Sequence, residues 1–228
     1  MKDAWNFGEV HQVSWNFYTE NFLGQLAFLN GNFAEAERWF RHRTEIEMKT
    51  YCAGWKDSCL FAAWAEAADE RAWKAWTDRR WKSPLIGQLN PFGAWCALER
   101  SVMGLAWLGS KEEVSALRPL TERLVLTGVW AHTYLSPFRT VAGITAACAG
   151  DWSAAEQHHL TAIHQTDTAP YRVSQPTARE WYATMLLDRN SAGDVAKSRV
   201  LLSEALAMYE SMGMRFQANR ASGKLAAL

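Results

Sequence analysis

The stretch Leu23-Gly24, then Gly31-Asn32-Phe33, Ala36 and Phe40, is repeated in kind by Gly143, then Gly150-Asp151-Trp152, Ala155 and His159. Both follow one template: a glycine, a second glycine seven positions on, Asn or Asp, an aromatic residue, and an alanine three residues later. A third copy runs Gly193-Asp194-Val195, Ser198, Leu202 and Ala205, and weaker copies without the glycines fit Ala68–Trp81 and Glu113–Leu124. The physical content of the template is a helical hairpin. Its first glycine lets two helices approach closely. Gly-Asn/Asp turns the chain and caps the second helix, the aromatic covers the turn, and the alanine sits at the crossing.

Composition agrees with such a chain. Lys plus Arg and Asp plus Glu number 24 each over 228 residues, so the net charge is zero. That balance excludes a protein built to blanket nucleic acid or an anionic membrane. Apolar residues at 49% supply a sizeable core and exclude a disordered chain. Strand signals are nearly absent: Asn30-Gly31 lies between helical patterns, not alternating ones. Asn32 with Glu35, Ser110 with Glu113, and Thr177 with Glu180 have capping-box spacing, and Ser136 precedes Pro137 as an N-cap before a first-position proline.

The patterns predict five antiparallel hairpins, with helices over 9–30/33–48, 50–67/70–82, 92–108/111–127, 136–149/152–166 and 177–190/194–211, and a capping helix over 214–227. Connectors such as Ser83–Ala94 and Thr166–Pro176 stretch the spacing to roughly forty residues. The hairpins resemble tetratricopeptide repeats, which recur at about 34. The expected fold is all-α: a right-handed TPR-like α-solenoid forming one domain over 1–228.

The last third carries a narrower resemblance. Gln175-Pro176, Arg179, Trp181-Tyr182-Ala183, Met185-Leu186-Leu187-Asp188-Arg189, Gly193-Asp194, and Leu201-Leu202 through Glu204-Ala205-Leu206-Ala207-Met208-Tyr209-Glu210 to Met212-Gly213-Met214 are similar to one family region. It is the C-terminal helical-repeat region of bacterial class III adenylate/guanylate cyclases and of large ATPase-type transcriptional regulators. The match covers about 143–225; residues 1–130, which hold 11 of the 13 tryptophans, match only as degenerate repeats. The resemblance implies a role in sensing or relaying signals through protein contacts, and no catalytic residue.

Motifs with other chemistry read as structure. Gly104 to Gly109-Ser110-Lys111 nearly spells a phosphate-binding loop, but Ser and Lys stand in the wrong order and no strand precedes them. A helix end followed by a helix start is the expectation. Arg71-Ala72-Trp73-Lys74 through Trp76, Arg79-Arg80-Trp81-Lys82 interleaves cations with aromatics, yet Ala72, Trp73 and Trp76 share a helix face and are expected in the core. His158, His159 and His164 lack ligand spacing on one helix face, so no metal is expected, and His159 takes the template's aromatic position as a packing residue. Cys52, Cys59, Cys96 and Cys148 show no disulfide framework; Cys52 and Cys59 are expected two turns apart on one helix face. Nucleophile signatures and an acid/base carboxylate dyad are missing, so no enzyme is expected. Residues 1–10 lack the apolar core of a signal peptide and no apolar run is long enough to span a bilayer, which predicts a cytoplasmic chain.

The tetratricopeptide resemblance implies a concave groove lined by first-helix positions three before and one after the first template glycine. These are Asn21 and Gln25, Ser58 and Ala62, and Ser101 and Leu105, with Tyr18, Trp55 and Trp95 as aromatic walls. Amides beside aromatics suit an extended peptide. The expected function is a protein-interaction or signal-sensing scaffold that binds a peptide or protein segment, without cofactor, nucleic acid or membrane. The alternative is a small-ligand receptor with a Trp-lined pocket inside the superhelix.

Overall fold

The computed structural model describes residues 16–42, 51–129, 131, 136–169 and 171–228. Residues 9–15 and 43–48 of the expected first hairpin, residue 50 of the second, and residues 1–10, on which the signal-peptide expectation rested, lie outside them. Every described element is a helix: α1 Asn16–Leu29, α2 Phe33–Arg41, α3 Trp55–Glu66, α4 Arg71–Thr77, α5 Phe92–Trp107, α6 Lys111–Ala116, α7 Arg118–Val125, α8 Phe138–Cys148, α9 Trp152–Thr168, α10 Ser174–Arg189, α11 Asp194–Ser211 and α12 Arg215–Ala226. These helices group into two compact units, Met1–Leu108 and Gly109–Leu228. The boundary falls in the turn of the expected third hairpin, so its two halves belong to different units.

One turn geometry recurs. Asn32 N donates to Ala27 O at 2.9 Å and Gly31 N to Phe28 O at 2.9 Å, which closes α1 with a Schellman motif around Gly31 at φ +74°. Asp151 and Gly150 close α8 in the same way onto Ala146 and Ala147, and Met214 and Gly213 close α11 onto Tyr209 and Glu210. The turn after α3 is the informative case. Asp69 N donates to Trp64 O at 2.9 Å and Ala68 N to Ala65 O at 3.1 Å, with Ala68 at φ +54°. An alanine there does the work of the missing template glycine against a steric penalty.

Caps follow in part. The Asn32 side chain accepts from Glu35 N at 3.2 Å, and Asp151 from Ala154 N at 3.1 Å. Ser110 instead donates to the Glu113 carboxylate at 2.7 Å. Thr177 caps nothing, because α10 already starts at Ser174, and Pro137, not Ser136, is the N-cap of α8. The helix expected over 111–127 is broken at Leu117: Pro119 has no N–H to continue the ladder, so α7 starts afresh around it.

In the first unit α3 packs against α1, α2, α4 and α5. Phe28, Phe40, Trp55, Leu60 and Ala63 form its core, together with the thiols of Cys52, Cys59 and Cys96, none of them in a disulfide among the described residues. Cys52 reaches that core from the turn before α3, not from its face. In the second unit α8 packs against α6, α7, α9 and α10, then α10 on α11 and α11 on α12. Ala146, Ala155, Tyr182, Met185 and Leu186 fill the space between them. The template's close approach is literal: a Cβ on Gly24 would lie 2.6 Å from the Phe40 ring, and one on Gly143 would lie 2.7 Å from His159 Nε2.

Candidate functional site

The residues assigned by resemblance to a groove are mostly interior. Asn21 and Gln25 are 0% and 2% exposed, and Gln25 Nε2 donates to Asn21 Oδ1 at 3.2 Å. Among the described residues Asn21 Nδ2 and Gln25 Oε1 have no hydrogen-bond partner. The physical reason lies in the helix period: Asn21, three residues before Gly24, shares the face on which Phe40 packs. Trp55 is buried between Tyr18, ring centroids 5.8 Å apart, and Phe92 at 5.5 Å. Ser58 is buried and donates to Trp55 O at 2.8 Å, while buried Ser101 accepts from Trp81 Nε1 at 3.0 Å. Ala62 and Leu105 are buried too, and Tyr18 and Trp95 are half-buried. The fold therefore brings Tyr18 to Trp55 and Asn21 to Gln25, as packing, and leads to a different concavity.

That concavity is a half-open cleft of about 350 Å³ in the first unit. Leu60 and Trp64 of α3 and Trp81 supply its apolar wall; Arg41 of α2, Arg71 and Lys74 of α4, and Arg79 and Arg80 supply cations, with Asp57 and Asp78 the lining carboxylates. Trp81 is fixed by its bond to Ser101 and by Gly54, where a Cβ would strike the Trp81 Cβ at 2.4 Å. The basic-aromatic run thus divides. Ala72, Trp76 and Trp81 are buried as core, and Trp76 stacks on Phe61 with centroids 5.4 Å apart. Trp73, expected beside them, is 46% exposed. In a helix as short as α4, Ala72 and Trp76 at i and i+4 take the whole inward stripe, and position 73 turns away.

Four of the cleft's cations are held by carboxylates. Arg80 reaches Asp57 at 2.9 Å and Lys74 reaches Asp78 at 2.6 Å. Arg41 pairs with Glu37 at 2.8 Å, and Arg71 with Glu37 at 3.1 Å and Asp69 at 2.6 Å. Arg41 and Arg71 also lie over the Trp64 ring, at 5.2 and 4.6 Å from its centroid. Burial would raise the Glu37 carboxyl, but hydrogen bonds from Arg41 and Trp64 outweigh it and hold it below its ordinary range. Arg79 differs. Its guanidinium lies 3.8 Å from the Trp76 centroid and donates to the Trp76 carbonyl at 2.8 Å, and no carboxylate among the described residues pairs with it.

The other singled-out motifs resolve into packing and ion pairs. Gly104 lies within α5 against Phe61, and Gly109 turns at φ +75°, so no phosphate cradle forms. His158 bridges Glu122 at 3.1 Å and Arg139 at 3.0 Å. His159 is fully buried, stacked on Tyr182 at 5.8 Å, and burial, with the neighbouring His158, lowers its pKa to about 3. Glu180 accepts from Tyr209 at 2.9 Å and Arg220 at 2.6 Å, with Lys224 at 3.0 Å. Burial would raise its pKa, but Arg220 and Lys224 bring it down to about 2. Among the described residues no cluster could hold a metal ion, and no helix is long and apolar enough to cross a membrane.

No family model matches the chain, and neither a curated protein nor a solved structure does. The cleft is therefore judged on its own chemistry. It offers an apolar wall, charged side chains fixed by partners, and one arginine held by aromatic stacking without a counter-ion. Its parts Arg41, Asp57 and Trp64 escape sequence reading, because they come from helices joined only by packing. Glu37 with Arg41 and Lys74 with Asp78, each at i,i+4, are the local signals nearby.

Proposed function

We propose that this protein is a protein-interaction or signal-sensing module of tetratricopeptide-like hairpins. It receives a peptide or protein segment in the cleft walled by Trp64 and Trp81. The observation that carries the reading is the cleft itself: a concavity with a tryptophan wall, Trp81 held by Ser101, and cations paired with the protein's own carboxylates. Preordered aromatic and arginine residues are the groups from which binding hot spots are built. The repeat reading, continued as a right-handed solenoid with α12 as its cap, draws support from the shared Schellman turns and from the matched Gly24–Phe40 and Gly143–His159 contacts. Recognition rather than catalysis is favoured because the buried carboxylates, such as Glu180, are engaged by cations.

A second reading, a small-ligand receptor, draws on the cleft's volume of about 350 Å³, within the range of ordinary ligand pockets. Selection of displayed random dodecapeptides on the purified protein tests the first reading. Convergent sequences that lose binding on Trp64→Ala, with the thermal midpoint of the variant checked separately, are expected. Failure to enrich any sequence overturns it.

A further inference from the structure

The charge pattern of the cleft narrows what enters it. Arg80, Lys74, Arg41 and Arg71 are each occupied by a carboxylate of the protein, and these pairs shape the rim. Arg79 stands apart. The Trp76 ring supports its guanidinium from below at 3.8 Å, and the Trp76 carbonyl takes one of its N–H donors. An arginine has five such donors in a planar fork, so the remainder are left for an occupant of the cleft that Arg79 lines. Stacking on an indole fixes the plane of that fork without cancelling its charge.

Resting on the reading of the cleft as a peptide site, we infer that its occupant is an acidic segment. It presents one carboxylate side chain to Arg79 and an adjacent large apolar side chain to the wall of Leu60, Trp64 and Trp81. A carboxylate meets an arginine fork edge to edge through two parallel hydrogen bonds, the geometry left open at Arg79. Charge complementarity selects this occupant over a nucleic acid. A run of phosphates laid across the cleft would meet Asp57 and Asp78 in its lining, and Glu37 and Asp69 behind Arg71. A single carboxylate placed at Arg79 meets a guanidinium with which no described carboxylate is paired, since Asp78 is taken by Lys74 and Asp57 by Arg80. The size agrees as well, since about 350 Å³ accommodates one or two side chains and not a folded domain.

The experiment is fluorescence anisotropy with three labelled dodecapeptides. They share a central Trp-Leu pair and differ only in flanking residues, which are Glu, Gln or Lys. On the wild type the Glu peptide should bind at least about tenfold tighter than the Gln peptide, with the Lys peptide weakest. The preference should shrink as salt is raised from 50 to 500 mM. Arg79→Gln should erase the Glu-over-Gln difference and Arg79→Glu should reverse it. Arg79→Lys should keep part of it, because charge survives and the fork does not. Arg79 is exposed, so these variants should melt with the wild type.

Equal binding of the Glu and Gln peptides would sink the acidic preference and leave the peptide reading standing. If none of the three binds, and displayed peptides do not enrich either, the peptide reading falls with it. Displacement of the Glu peptide by a twelve-residue oligothymidylate at equal concentration would assign the cleft to nucleic acid and overturn the inference. Binding of phenylpropionate to the cleft with no peptide binding would assign it to small organic anions and overturn it equally.

Discussion

Gly143 faces the imidazole of His159 so closely that a Cβ at position 143 would lie 2.7 Å from Nε2. His159 is fully buried and stacked on Tyr182, so it has no free volume in which to move aside. Gly24 and Phe40 repeat this relationship in the first unit, at 2.6 Å.

Gly143→Ala should therefore cost about 1–3 kcal/mol, the usual price of overpacking a filled core, and Gly143→Leu more. The check is thermal denaturation by circular dichroism. Adding His159→Ala to Gly143→Ala should recover part of the loss, because the clash is with that ring. Strictly additive losses would show that the contact is not the cause.

His159 also gives the second unit a defined acid response. Its pKa in the fold is lowered to about 3 by burial, well under the ordinary value near 6.5. The unfolded chain then binds the proton that the folded chain refuses. The stability is fully present above about pH 6.5 and falls by up to about 1.4 kcal/mol per pH unit below it, until the folded pKa is reached. His159→Phe, which installs the aromatic that the first repeat carries at Phe40, should flatten this slope between pH 6 and 5. An unchanged slope in urea titrations would reject the assignment.

Glu180 acts at lower pH. Arg220 and Lys224 hold its carboxyl at about 2, below the unfolded carboxylate value, so its contribution is present above about pH 4.5 and disappears as pH falls towards 2. Glu180→Gln should leave the half-buried cations Arg220 and Lys224 without their carboxylate and cost about 1–3 kcal/mol at neutral pH. Hydrogen exchange should show α12 losing protection first, since two of its side chains, Arg220 and Lys224, anchor on this carboxylate of α10. Uniform loss of protection over the second unit would contradict that role.

At Ala68 the opposite change is expected to help. An alanine at φ +54° sits where glycine has no steric cost, and Ala68→Gly should gain up to about 1 kcal/mol once the greater freedom of the unfolded glycine is deducted. A raised thermal midpoint with the same helicity is the expected outcome. A lowered one would mean that the left-handed turn is not maintained in solution.

Trp76 and Trp73 provide a matched pair three residues apart. Trp76→Ala should cost about 3–5 kcal/mol as a core deletion. Trp73→Ala, at 46% exposure, should change the midpoint far less. Equal losses at the two positions would restore the expectation that both belong to the core.

The sequence by itself determined where helices begin, turn and end, because those events depend on residues within one or two turns of each other. Asn32 with Glu35, Gly31, Gly150 and Gly213 are local chemistry, legible in a string of letters. Within the described residues the predicted helices fall on α1–α12, but the one expected from residue 50 begins at Trp55, the one expected to 82 ends at Thr77, and the one expected over 111–127 breaks at Leu117, where Pro119 outweighs the apolar period. Even the Gly143–His159 contact was implied by the repeat, since like spacing demands like packing.

What only the tertiary structure decided is which face of each helix is covered, and by what. Asn21 and Gln25 were expected to line a groove from the tetratricopeptide resemblance, yet helices packed around α1 enclose them. Ala68 in a left-handed turn could not be read either, since an alanine advertises no such conformation. The cleft is the clearest instance. Arg41, Trp64 and Arg79 are far apart in the chain and meet only when α2, α3 and α4 pack. The lone charge of Arg79 is defined by which carboxylates its neighbours have already taken. Exposure and charge pairing are properties of several segments at once, and no single stretch of sequence contains them.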